Sequence, residues 1–270
     1  MQPVEPSNGH YLRLQDIQRS CVLGDDIHDC PTRVIALENT IHGVVMPIQE
    51  AQRIADFARL HGITMHLDGA RIWEACAATC PGAAPLREFC GYFDTISLCL
   101  SKGLGAPVGS VLVGSRALVK HARWVRKSIG GGLRQSGVLA SAGLVAVRET
   151  FGHSDTGEDG LLPASHQMAR RVEALWVSMG GRVDRPTDTN MCWLDLESAG
   201  CSLPRFIKLG QENGIKFMSR RLVTHYQVAR NSEEVLRRLR VIFTKALDRS
   251  EVLETQKNGQ GPSSVYTGTG

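Results

Sequence analysis

Apolar and polar positions along the first half of the chain follow two distinct periods. Within RVIALENT, an apolar run begins after Arg33 and breaks at the polar tip Glu38, Asn39 and Thr40, as a buried strand entering a loop does. ITMHLDGAR, DTISLCLSKG and GSVLVGS repeat that pattern, the first two ending near Asp68 and Lys102. Between the first two runs, IQEAQRIADFARLHG spaces its apolar residues three and four apart and stops at Gly62, the signature of an amphipathic helix. Strands separated by helical patterns predict an α/β sheet with helices on its faces. In such sheets the C-terminal strand ends line the ligand crevice. Three strand ends here deliver Glu38 with Asn39, Asp68 and Lys102.

The first thirty or so residues mix turn formers with short periodic pieces. Further on, RALVKHARWVRKSI predicts another amphipathic helix, GGG at 130–132 a turn, and RQSGVLASAGLVAVRET a helix rich in small residues. Such a helix packs closely on a neighbour, within or between subunits. HSDTGEDG reads as a linker. Beyond it the pattern predicts a helix over 161–179, a strand at NMCWLDL and a helix near LPRFIKLGQENG. Strands through IKFMS and RLVTHYQV follow, then a last helix, SEEVLRRLRVIFTKAL. The expected organisation is a large domain over 1–150, a smaller α+β domain over 151–248, and a disordered tail over 249–270. No internal repeat is visible.

Composition narrows the class of partner. The 270 residues suffice for one large domain or two smaller ones. A hydrophobic share of 42% and a charged share of 21% are those of a soluble globular protein. The net charge of +4 is mild, and its densest basic run, RRLR, fits the polar face of a helix. This argues against nucleic acid or an anionic membrane as partner. The eight cysteines lack C-x-x-C pairs and zinc spacing, so the expectation is reduced thiols, no metal and a cytoplasmic location. MQPVEPSNGH has no signal-like apolar core, and no apolar stretch reaches membrane-spanning length.

The candidate chemistry lies in SLCLSKGLGAPVGS, which sets Lys102 between an apolar run and a glycine-rich turn. A lysine at a partly desolvated strand end loses preference for its ammonium form and becomes the nucleophile that Schiff-base chemistry needs. A carboxylate such as Asp68, placed opposite a pyridine nitrogen, keeps that ring protonated so that pyridoxal phosphate acts as an electron sink. Arg71 follows three residues later and can point a guanidinium toward the same crevice. The residues alone also allow simpler readings: Lys102 as an exposed loop residue, Asp68 as a turn former, Arg71 as half of a surface ion pair, Arg134 as part of a helix connection. Arg220 and Arg221 are not distinguishable on pattern. His66 lies on the same strand side as Asp68, in a second layer or in the core. Glu38 and Asn39 either shape the crevice or simply end a strand.

Four stretches carry a resemblance to a known family: HLDGARIWEA, FDTISLCLSKGLGAPVGSVLVGS, ARWVRKSIGGGLRQSGVLASAG and RLVTHYQV. Together they resemble the pyridoxal-phosphate threonine aldolases of the β-eliminating lyase group, over nearly the whole chain up to the final helix. The resemblance implies a fold-type-I transferase-like fold and a homo-oligomer, dimer or tetramer, with sites at subunit interfaces. It implies that Lys102 is the Schiff-base lysine and that Asp68 pairs with the pyridine nitrogen. It further implies that Arg71 and Arg221 hold the substrate carboxylate or cofactor oxygens, and that Arg134 helps bind the cofactor. The implied reaction cleaves L-threonine or a related β-hydroxy-α-amino acid to glycine and an aldehyde. Amino-acid racemisation is the alternative, and a non-catalytic paralogue the third reading.

Two departures qualify the resemblance. PSNGHYL matches the middle of the family's cofactor domain, so the family's phosphate-cupping Gly-Thr turn and ring-stacking histidine have no counterpart here. The expectation is an incomplete large domain: a fragment, a mispredicted gene product or a degenerate relative, with exposed apolar edges and weakened cofactor affinity. Second, ENTIH stands where bacterial relatives read ENTHN, so Ile41 replaces an imidazole that faces the substrate hydroxyl. His42 is adjacent, but neighbours in an extended strand point to opposite sides.

Overall fold

The computed structural model describes residues 1–24 and 26–248; the tail expected to be disordered lies outside them. Helix α1 (Leu14–Ser20) precedes strand β1 (Val34–Glu38), helix α2 (Ile48–Leu60) and strand β2 (Thr64–Gly69). The short helices α3 (Ile72–Cys76) and α4 (Leu86–Cys90) lead to β3 (Thr95–Cys99) and β4 (Ser110–Gly114). β1, β2 and β3 are parallel and adjacent in that order, and β4 closes the edge antiparallel to β3.

The four strands thus lie where the apolar runs place them. Their alternation decides what they bury: Ile35, Leu37, Met65 and Leu67 face the core, where α2 contributes Ala51, Ile54, Ala55 and Ala58 at helical spacing. The other face of β1 and β2 is open, with Val34, Ala36 and Thr64 exposed. Helices therefore cover one face of these strands among the described residues, where two covered faces are expected of a parallel sheet.

Helix α5 (Arg116–Ser128) starts at Ser115, whose hydroxyl accepts the Leu118 N–H at 3.2 Å, the usual serine N-cap contact. Helix α6 (Gly137–Ala146) runs into a π-helical turn over Val147–Phe151. It begins three residues beyond Arg134, which stays in the loop. A second layer follows: α7 (Leu162–Ser178), β5 (Met191–Trp193), α8 (Leu203–Glu212), β6 (Arg221–Val223), α9 (Tyr226–Ala229) and α10 (Ser232–Leu247). β5 and β6 pair antiparallel.

One apolar core draws on residues from Ile17 to Leu162, a second on residues from Met168 to Ala246. The second is aromatic at its centre, with Trp176 edge-on to Phe243 at 4.9 Å and Phe206 stacked on Phe217 at 4.4 Å. This packing overturns one expected strand. In IKFMS, the Ile215 N–H closes the end of α8 on the Gly210 carbonyl and Phe217 plugs the core, so the segment joins no ladder. RLVTHYQV is a strand only over Arg221–Val223; His225 then caps α9 by accepting the Gln227 N–H. Among the described residues no helix is long and apolar enough to cross a membrane.

Candidate active site

Parallel register brings the strand ends together. Glu38 on β1 is opposite Asp68 on β2, and Asp68 is opposite Ser97 on β3. Asp68 is exposed at the strand end, and its Oδ1 accepts the Ala70 N–H at 3.0 Å, so the carboxylate also forms the turn into α3. Gly69 follows because space demands it: a Cβ there would stand 2.6 Å from the Ser97 carbonyl oxygen. Arg71 is the N-cap of α3 and is half-buried. Trp73 then donates from Nε1 to the Cys99 carbonyl at 2.9 Å, tying α3 to the end of β3.

Lys102 lies in a loop closed by backbone bonds: Leu100 N–H to Gly109 O, Ala106 N–H to Leu100 O, and Gly105 N–H to Lys102 O. Leu104 and Ala106 anchor that loop in the core. Lys102 itself is exposed, which corrects the expected desolvation. The loop carries it three residues past the end of β3, and no described residue covers it.

Charges at the crevice act on one another. Burial and the Asp68 carboxylate raise the Glu38 pKa, against the opposing pull of Arg71 and Lys102. Burial and the neighbouring Arg221 lower that of Arg71, which stays cationic. At Cys99 burial pushes the thiol up, but hydrogen bonds from Ser101 and the charge of Lys102 outweigh it, and the net direction is down.

The turn after β1 has a different form from an extended strand. Ile41 and Val44 exchange backbone hydrogen bonds across His42 and Gly43, both with positive φ (54° and 90°). Two such residues form a tight hairpin turn, and histidine tolerates the left-handed region better than most non-glycine residues. The strand-alternation objection to His42 therefore does not apply. Its ring meets Trp193 edge-on at 5.4 Å, and its carbonyl accepts the Trp193 Nε1–H at 2.8 Å. Burial, then Arg185, Arg221 and Arg71, lower the His42 pKa. Asn39, by contrast, is buried and turned inward, exchanging hydrogen bonds with the Met46 backbone. His66 bonds Thr95 Oγ1 at 2.6 Å through Nδ1.

The structure thus gathers Glu38, Asp68, Arg71, Cys99, Lys102, His42 and Arg221 around one crevice. Arg220 and Arg221 separate: Arg220 pairs with Asp184 at 2.6 Å, whereas the Arg221 guanidinium lies 5.6 Å from the Trp193 ring centre. Arg134 stands apart, exposed in the loop before α6. That helix approaches Leu100 at Gly143, about 9 Å along its axis from its first residue. Arg185 and Trp193 carried no sequence signal. An amine at Lys102 and a carboxylate at Asp68 fit the aldehyde and ring-nitrogen ends of pyridoxal phosphate. These crevice residues supply no cradle for its phosphate.

Comparison with known proteins gives the same picture. The β-eliminating lyase family model matches residues 1–199. The aldolase vrtJ of Penicillium aethiopicum is 49% identical over 90% of this chain and 60% of its own length. The alanine racemase TOXG of Cochliobolus carbonum is 41% identical over 84% of this chain and 58% of its own. A probable low-specificity L-threonine aldolase of Schizosaccharomyces pombe is 40% identical over 88% and 59%. The chain thus spans about 60% of the length of these relatives. Among solved structures, the threonine aldolase of Leishmania major superposes with a TM-score of 0.65 at 20% identity, over 85% of this chain and 67% of that one; the fold is that of the fold-type-I enzymes. Three strand ends and their loops, the family match over most of the sequence and this shared fold agree, and the chain belongs to the β-eliminating lyase family.

Proposed function

We propose that the protein is a pyridoxal-phosphate lyase acting on β-hydroxy-α-amino acids of the L-threonine type, releasing glycine and an aldehyde. The observation that carries this reading is the register that sets the Asp68 carboxylate beside Glu38 at the strand ends, with Lys102 in the loop beyond β3. When bound, the cofactor supplies an electron sink for cleavage of the Cα–Cβ bond. Lys102 Nζ would be the amine that holds it, and the Asp68 carboxylate would keep its ring nitrogen protonated. Arg71 and Arg221 grip the substrate carboxylate, a task suited to the guanidinium fork. His42, whose lowered pKa keeps its imidazole neutral near pH 7, takes the β-hydroxyl proton. Arg134 serves the cofactor of a neighbouring subunit in a homo-oligomer, and the enzyme works in the cytoplasm.

Racemisation is the second reading, favoured by the 41% identity to a protein named alanine racemase; Lys102 would then move the Cα proton. The test is direct. The purified chain is loaded with pyridoxal phosphate, trapped with borohydride and mapped by peptide analysis, and separate samples receive L-threonine or L-alanine before chiral analysis. Label on Lys102 together with glycine and acetaldehyde supports the lyase. D-alanine without aldehyde transfers the assignment to a racemase. Absence of both label and product leaves a non-catalytic relative.

A further inference from the structure

The crevice holds more positive charge than one α-carboxylate uses. Trp193, on β5, has a neighbouring segment on each side. On one side Arg221 of β6 is its direct cross-strand partner. On the other, residues 182–184 run alongside: Asp184 N–H donates to the Trp193 carbonyl at 3.0 Å, and Val183 bridges Leu194. Arg185 follows that segment and brings its guanidinium to 4.6 Å from the Trp193 ring centre, while Arg221 approaches to 5.6 Å. Such contacts hold a guanidinium over an indole but leave its N–H donors unused.

Among the described residues no protein acceptor takes those donors, and Arg221 is exposed to solvent. Arg185 Nε is sealed from solvent without an acceptor. The nearby acids are committed: Asp184 to Arg220 at 2.6 Å, and Asp188 to the Val45 N–H at 3.0 Å. Among the described residues no carboxylate forms an ion pair with Arg71, Arg185 or Arg221. All three act electrostatically on the His42 ring, which sits edge-on to the same indole. One substrate carboxylate is matched by two guanidinium groups. The third is surplus, and a methyl group beside it would leave its donors unpaired, a strong ground for discrimination.

We infer that Arg185, seated against Trp193 beside Arg221, is a second anion subsite that accepts an acidic side chain on the amino-acid substrate. This deepens the proposed function and rests on its assignment of Arg71 and Arg221 to the α-carboxylate. The substrate class is a β-hydroxy dicarboxylic amino acid. For β-hydroxyaspartate the Cα–Cβ bond breaks, the β-hydroxyl loses its proton and Cα gains one. The products are glycine and glyoxylate, which together hold every atom of the substrate.

The test has a binding arm and a turnover arm, both on the full chain with and without cofactor. Tryptophan fluorescence, with Trp193→Phe as the control that removes the local reporter, follows titration with L-aspartate, L-alanine and inorganic phosphate. L-aspartate is expected to bind at least about tenfold more tightly than L-alanine, and Arg185→Gln to bring that ratio close to one while Arg185→Lys restores part of it. An unchanged ratio in Arg185→Gln overturns the inference. So does tighter, Arg185-dependent binding of phosphate, which makes the subsite one for a phosphate group. In the turnover arm, the ratio of kcat/KM for β-hydroxyaspartate over L-threonine is expected to fall about tenfold or more in Arg185→Gln. If L-threonine is cleaved and this ratio does not move, the subsite fails and the lyase reading stands. If neither substrate is cleaved, the lyase reading fails and the binding ratio alone decides the subsite.

Discussion

His166 Nε2 and Glu74 Oε2 meet at 2.5 Å, with His166 only 1% exposed and Glu74 only 2%. The contact joins α7 to α3, the helix that follows Asp68 and Arg71. Glu74 also reaches the loop that carries Lys102, since its Oε1 occupies the space beside Gly103. Neither Glu74 Oε1 nor His166 Nδ1 has another partner. Breaking such a pair strands a buried polar group, typically at about 3–5 kcal/mol, whereas removing both partners costs far less. Glu74→Leu and His166→Leu should each lower stability by that order, and the double variant by less than their sum. Denaturant unfolding of the three variants checks it; simple additivity would show that the two side chains do not act as a pair.

Gly103 cannot gain a side chain without moving Glu74. A Cβ there would lie 2.0 Å from Glu74 Oε1, well inside contact distance. Gly103→Ala should cost about 1–3 kcal/mol, the usual scale for forced overpacking. It should also change the rate at which Lys102 reacts with an amine-directed reagent, because the loop must shift. Normal stability together with normal Lys102 labelling would refute the close approach.

Asp16 makes the N-terminal segment sensitive to acid. Burial opposes its ionisation, but the backbone amides of Arg13 and Ser7 and the Arg19 guanidinium prevail and hold its pKa at about 2. A depressed carboxylate pKa adds stability above the ordinary value of 3.8 that is lost as pH falls toward about 2. Asp16→Asn should therefore cost about 2 kcal/mol at pH 7. It should also flatten the acid limb of the stability curve between pH 4 and pH 2. Unfolding free energies across that range decide the matter.

Glu38 has the opposite sign. Its pKa is raised by burial and by Asp68, so folding favours the protonated form. Its contribution is complete below the ordinary value of 4.5 and declines as pH rises through the raised value. The stability of Glu38→Gln relative to wild type should thus improve as pH increases from about 4.5 toward neutrality. A difference that stays flat with pH would contradict the assignment.

Asp68→Asn tests the ring contact. The replacement keeps the shape and the Oδ1 acceptor used by the Ala70 N–H, so the melting temperature should hardly change. Turnover should fall on the order of 10²-fold, the scale at which a single preorganised electrostatic contact acts. Full turnover in the Asn variant would remove Asp68 from the mechanism.

Much of the crevice is legible in the sequence, for a local reason. Strand and helix periods are properties of neighbouring residues, so the apolar runs before Glu38, Asp68 and Lys102 locate β1, β2 and β3. A parallel sheet then gathers their C-terminal ends. Helices α2, α5, α7, α8 and α10 follow from spacing in the same way. The π-helical end of α6, the short helix α9 and the unpaired IKFMS segment do not. In that last case Phe217 stacks on Phe206 in the core and its segment pairs with no strand.

Side-chain direction and partnership belong to the tertiary structure. His42 enters the crevice because Ile41–Val44 closes a turn held by Thr189 Oγ1 on the Gly43 carbonyl, a contact 146 residues apart in sequence. Arg220 and Arg221 are equivalent as letters; Asp184 takes one and Trp193 receives the other. Glu74 gains its partner from His166, 92 residues further along the chain. Periodicity reports which side of its own element a residue occupies. Which charge lies opposite is set by how the elements pack, and that information is spread over the whole chain.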